Sequence, residues 1–166
     1  NHLMWEMKES GDNYVTFYHY SPQEEQGFPG NMHVTVTYTL DDEDTVHITY
    51  HAKADADTVM NFTNHSYFNL AGHDSGVMLD QKLQLFADAY TPDEDSHSIP
   101  TGEIAPVAGT PMDFTDFHVI GDRIDEKFDQ LVMGHGYDHN WCLSHVRGDF
   151  GLAAQIFSEE LSLIHI

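Results

Sequence analysis

Residues 33–52 constrain the fold more tightly than any other stretch. Val34, Val36, Tyr38 and Leu40 alternate with His33, Thr35, Thr37 and Thr39. Asp41-Asp42-Glu43-Asp44 makes an acidic turn, after which Val46, Ile48, Tyr50 and Ala52 alternate with Thr45, His47, Thr49 and His51. A period of two places one set of side chains on each face of a strand. Two neighbouring strands with matched apolar faces imply an antiparallel sheet that covers a core on one side. Residues 14–20, rich in aromatic and β-branched types, predict a strand before this hairpin. Ser21-Pro22 ends it, and Gln23 to Gly30 reads as a polar loop closed by turn formers.

The rest of the chain continues in short elements. Thr58 to Asn64 reads as a strand, as do Leu79 to about Tyr90 and Phe150 to Ser158, while Tyr137 to Val146 reads as a loop entering a strand. Ile120, Ile124, Phe128 and Leu131 fall at helical spacing, which predicts a short surface helix over residues 121–132. Gly134-His135-Gly136 then breaks the chain. Many short strands between turns point to an all-β sandwich.

Composition narrows the function. A length of 166 residues suits one domain, and 40% hydrophobic with 12% aromatic residues is a globular composition. Six Lys and Arg against 28 Asp and Glu give a net charge of −22. Such a surface repels phosphate backbones and anionic lipid, so no nucleic-acid partner and no membrane are expected. The single Cys142 leaves no internal disulfide. No apolar run is long enough to span a bilayer, and Asn1-His2-Leu3-Met4-Trp5-Glu6 lacks signal-peptide character, which fits a cytoplasmic location.

The chemistry concentrates in residues 61–73. Two asparagines, His65, Ser66 and Tyr67 are set among apolar residues in Asn61-Phe62-Thr63-Asn64-His65-Ser66-Tyr67-Phe68. Polar density in an apolar strand is costly unless each group finds a partner. An imidazole there suits proton transfer, and equally suits a core role tied to a backbone carbonyl. His65 and Ser66 would point to opposite faces of a strand, which argues against a nucleophile pair. His135, Asp138, His139 and His145 invite a metal test, but a zinc pair at i and i+4 needs a helix that Gly134 and Gly136 disfavour. Neither a metal nor a cofactor is expected, and no Gly-rich phosphate loop is present.

Thr63-Asn64-His65-Ser66-Tyr67-Phe68-Asn69-Leu70 resembles the signature of the aldose 1-epimerases, or galactose mutarotases. Gly27-Phe28-Pro29-Gly30 with the following hairpin, Ala87 to Pro92, Ile99 to Ile104, Gly109 to Phe114, and Gly136-Tyr137-Asp138-His139-Asn140-Trp141 resemble further segments of that family. The resemblance implies the large twisted antiparallel sandwich of the galactose mutarotase type. It also implies cofactor-free interconversion of the α and β anomers of a free hexose such as galactose or glucose. His65 would then protonate the ring oxygen and Asp138 would bind sugar hydroxyls. Tyr67 would either line the pocket or sit in the core with its hydroxyl at the rim. The scarcity of Lys and Arg, with arginine only at positions 123 and 147, favours a neutral sugar over a phosphorylated one.

The family's Asn-Arg pair, its Leu-His-Gly-Gly segment and its catalytic glutamate have no match here, and Glu159 and Glu160 do not fit the glutamate segment. Residues 1–160 are therefore expected to be an incomplete mutarotase-like domain, inactive by itself for want of the base. Residues 161–166 read as an atypical tail. The competing expectation is a non-catalytic carbohydrate-binding β-sandwich that uses Asp138 and aromatic residues.

Overall fold

The structure, a computed structural model, describes residues 3–145 and 148–159 together with the backbone of 163–165. Arg147, Glu160 and most of the expected tail lie outside the described residues. The chain divides into two compact units, Asn1–Ser66 and Tyr67–Ile166.

The first unit is an antiparallel meander of β1 (Glu6–Ser10), β2 (Tyr14–Ser21), β3 (Met32–Leu40) and β4 (Val46–Ala54), in that spatial order. The expected hairpin is β3–β4, with Val36 opposite both Phe17 and Tyr50, and Tyr38 opposite both Val15 and Ile48. Register therefore gathers the apolar residues of three strands on one face, where Val34 and Val36 are buried. The other face carries threonines and histidines, among them Thr16 and Thr37, whose hydroxyls lie 2.9 Å apart. The acidic turn closes on Asp41, whose Oδ1 accepts from the Glu43 and Thr45 amides at 2.9 and 3.0 Å. The His47 imidazole, 2.7 Å from Oδ2, leads those bonds in holding the Asp41 carboxyl below its usual range. Gly30 has φ of +80°, and a Cβ there would stand 2.9 Å from that of Ala56, so glycine is required.

The expected strand Thr58–Asn64 does not form. This segment joins no ladder among the described residues. Phe62 stacks on Tyr50 with ring centroids 6.0 Å apart, while Val59 and Met60 are exposed. Strand composition selects an extended chain, but pairing needs a neighbour alongside.

The second unit holds two small antiparallel sheets. One orders β11 (Leu163–His165), β10 (Ala154–Ser158), β5 (Lys82–Leu85) and β8 (His118–Val119); the other orders β7 (Ala105–Pro106), β6 (Ala87–Thr91) and β9 (Asn140–Leu143). The single strand expected from Leu79 to Tyr90 is thus two strands in different sheets. The change falls at Phe86, whose amide donates to Ala153 at 2.9 Å and whose carbonyl accepts from Ser144 at 2.9 Å. Those partners precede β10 and follow β9, so one residue hands the chain from one sheet to the other.

The expected helix over 121–132 is shorter and later. Ile120–Asp122 forms a 3₁₀ turn, Phe128 is extended, and the one α-helix among the described residues is α1 (Asp129–Gly134). Bonds from the Ile120 amide to Gln81 (3.0 Å) and from the Gly121 amide to Leu79 (2.7 Å) tie the first turn to the chain before β5. Tertiary bonds therefore outweigh the helical periodicity, which survives because Ile120 and Leu131 are both buried. The break at Gly134-His135-Gly136 is present: His135 is left-handed (φ 54°), and the Gly136 amide caps onto Leu131 at 2.9 Å.

The core of this unit is Tyr90, Val107, Met112 and Leu131, flanked by Phe128, Tyr137 and Trp141. Phe114, 1% exposed, meets Tyr137 and Trp141 edge-on at 5.0 and 6.3 Å, and the Arg123 guanidinium lies 5.1 Å from its ring centre. Phe114→Ala should destabilise the chain by about 3–5 kcal/mol. Urea unfolding monitored by circular dichroism measures this, and a loss below about 1 kcal/mol, the size of an ordinary surface change, would place the ring outside the core.

Candidate active site

The signature stretch is organised by Asn64. Its Oδ1 accepts from the Ser66 amide at 3.1 Å and from the Ser66 hydroxyl, an Asx turn rather than the expected strand. Its Nδ2 donates to the Tyr38 hydroxyl at 2.9 Å, which pins the turn to the apolar face of the meander. His65 is the residue inside this turn. It is exposed, so it is not a core histidine. His65 and Ser66 therefore do not alternate across the faces of a strand, and the Ser66 hydroxyl is bonded to Asn64.

His65 and Asn64 border an open cavity of about 450 Å³ whose other walls are Trp5, Phe17, Val36, Tyr38, Tyr50 and Thr63. The aromatic walls follow from register, because Phe17, Tyr38 and Tyr50 lie on the same apolar face of β2, β3 and β4. Sequence reasoning placed Tyr38 and Tyr50 on a core face and Phe17 in a strand, and missed all three as cavity walls. The available signal was the pair of tyrosine hydroxyls on an otherwise apolar stripe.

Tyr67 begins the second unit and is 90% exposed, bordering a cavity of about 640 Å³ with Phe68, Asn69, His73, Val77 and Leu79. The floor beneath this loop is a buried amide that the sequence did not reveal. Gln81, 2% exposed, donates from Nε2 to Asn69 Oδ1 at 2.8 Å. Asn69 in turn donates to Ser75 Oγ and the Gly76 carbonyl at 3.0 and 3.1 Å. These bonds satisfy a buried polar group and fix the loop at once.

Asp138 is exposed on a segment whose alternate residues face the core. The Tyr137 hydroxyl donates to the Pro111 carbonyl at 3.2 Å, and Trp141 Nε1 donates to the Met112 carbonyl at 3.0 Å. The His139 side chain is fully covered, with Nε2 3.2 Å from Gln130 Oε1. Burial pushes the His139 imidazole below its ordinary value against the pull of Asp93 and Asp138, and burial raises the Tyr137 phenol. His65 thus belongs to the first unit, and Tyr67 and Asp138 to the second. Of the histidines weighed for a metal, His139 is in the core and His145 Nε2 bonds the Leu152 carbonyl. Among the described residues no three ligand-type side chains converge.

A family model described as aldose 1-epimerase matches residues 1–162. This chain belongs to the aldose 1-epimerase family. Mouse galactose mutarotase is 46% identical over 131 residues, covering 79% of this chain and 36% of its own length. Escherichia coli aldose 1-epimerase is 38% identical over 159 residues, covering 96% and 45%. The crystal structure of galactose 1-epimerase from Lactobacillus acidophilus superposes with a TM-score of 0.79 at 30% identity, over 93% of this chain and 45% of that one. An aldose epimerase homologue from C. elegans gives 0.78 at 25% identity. The all-β mutarotase-type fold is therefore that of this chain. The chain spans less than half the length of these relatives. No helix among the described residues is long and apolar enough to cross a membrane.

The buried imidazole sets a pH dependence for this epimerase-family fold. With the folded His139 value below the ordinary imidazole value of about 6.5, the unfolded chain takes up a proton first as pH falls. The stability held by neutral His139 is present above about 6.5 and is lost on acidification below it. Urea midpoints at pH 7.5 and 5.5 should fall more for the unaltered chain than for His139→Gln. Equal falls would show that the ring titrates freely in the folded state.

Proposed function

We propose that these residues supply the acid and part of the sugar site of an aldose 1-epimerase acting on free hexoses such as galactose or glucose. The observation that carries this reading is His65, held by the Asn64 turn at the edge of an aromatic-walled cavity. Apolar walls with a few placed polar groups suit a small polyhydroxylated ligand. In the reaction a base takes the proton of the anomeric hydroxyl, the bond from C1 to the ring oxygen breaks, and His65 protonates that oxygen. Rotation about the C1–C2 bond and reversal of the steps yield the other anomer. The chemistry needs a positioned acid and base and no cofactor. The base belongs to the family's glutamate segment, which these residues do not contain.

Asp138 accepts hydrogen bonds from sugar hydroxyls, a role suited to a carboxylate on an open face. Tyr67, exposed beside a cavity of its own, is taken to line the sugar pocket of the parent enzyme with its ring and hydroxyl. A net charge of −22 favours a neutral sugar over a phosphorylated one. Residues 1–160 form part of one mutarotase sandwich, and the lone Cys142 is compatible with a reducing, cytoplasmic setting.

Polarimetry of freshly dissolved α-D-galactose tests the reading. In a protein carrying these residues, His65→Ala should lower kcat by about 100-fold or more with an unchanged circular dichroism spectrum, the usual scale for a lost general acid. Turnover near that of the unaltered protein would exclude His65 as the acid.

A further inference from the structure

The neighbour of Asp138 is the feature that the reaction above leaves unused. The β6–β9 ladder ends at the pair Thr91 and Asn140, so no strand bonds fix the main chain at residues 138 and 139. A side-chain junction takes over at this point. Gln130 on α1 accepts from the Asp93 amide at 2.7 Å through Oε1 and donates to the Asp93 carbonyl at 3.0 Å through Nε2. The same Oε1 lies 3.2 Å from His139 Nε2. Because Gln130 presents an acceptor, Nε2 must carry the proton. Nδ1 is buried without a hydrogen-bond partner, so a second proton there would be an unsatisfied buried donor.

The ring is held edge-on by Tyr90 at 5.9 Å and Trp141 at 6.5 Å. It also occupies space that a side chain at Gly134 would fill, since a Cβ there would come within 3.1 Å of Cε1. One neutral imidazole thus links the end of β6, α1 and the entry to β9, and Asp138 is the residue directly before it.

We infer that His139 is a positioning residue: through its bond to Gln130 it fixes the backbone at 138–139 and so aims the Asp138 carboxylate at the sugar. The inference rests on the sugar-binding role proposed for Asp138. It assigns His139 no contact with substrate.

A double-mutant cycle on the full chain tests this, with D-galactose titrations followed by NMR and thermal unfolding recorded in parallel. His139→Phe keeps a ring in the core and leaves Gln130 Oε1 its bond from Asp93, so no buried acceptor is orphaned. His139→Gln restores a donor at the reach of Nε2. Expected is roughly tenfold weaker galactose binding for His139→Phe, recovery in His139→Gln, and no further loss when His139→Phe is added to Asp138→Asn. Unchanged binding in His139→Phe would overturn the inference, as would an equal loss in both backgrounds or a loss that follows the unfolding temperature through all variants. Unchanged binding in Asp138→Asn, or no binding by the unaltered chain, would instead remove the sugar-site reading and the inference with it.

Discussion

The register of β3 against its two neighbours is the constraint on which the first unit depends. β3 pairs with β4 from Met32 to Leu40 and with β2 from Met32 to Thr39. Because side chains alternate with a period of two, a slip of one residue would carry Val34, Val36 and Tyr38 to the solvent face and bring the threonines inward. The correct register gives the Asn64 turn an apolar face to lie on and a tyrosine hydroxyl to bond. The cavity beside His65 follows from those two facts. It is the space left where a polar turn meets an aromatic sheet face.

The second unit is held in a different way. Its strands are short, and one buried and one half-buried amide carry much of the specification. Gln81 ties the loop after Tyr67 to the chain leading into β5, and Gln130 ties α1 to the end of β6. A buried amide left unpaired is expensive, whereas a fully paired one admits few alternative arrangements. Both glutamines lie next to segments that the proposed chemistry uses: Tyr67 and its loop in one case, Asp138 in the other. Membership of the aldose 1-epimerase family gives these placements their meaning, since the signature and the Gly-aromatic-Asp-His-Asn-aromatic segment are the two stretches so anchored.

Where periodicity met no competing tertiary bond, the sequence was a sound guide. The hairpin, the strand over 14–20 and the stop at Gly134-His135-Gly136 all stand in the structure. It misled where a residue's bonds lie far along the chain. Thr58–Asn64 has the composition of a strand but joins no ladder, the run to Tyr90 divides at Phe86, and the helix begins only after an extended Phe128. The motif proposed to carry the chemistry was legible as a string of letters, although the local structure inferred for it was wrong.

The sequence by itself determined the family, the β class and the identity of His65, Tyr67 and Asp138 as candidates, because motif and alternation are local properties. Only the tertiary structure decided that His65 occupies an Asx turn, that Phe17, Tyr38 and Tyr50 are walls of its cavity, and that His139 is buried against Gln130. Each of these depends on which distant residue comes alongside. Strand register and the pairing of buried polar groups settle that, and neither is encoded within a single short window of sequence.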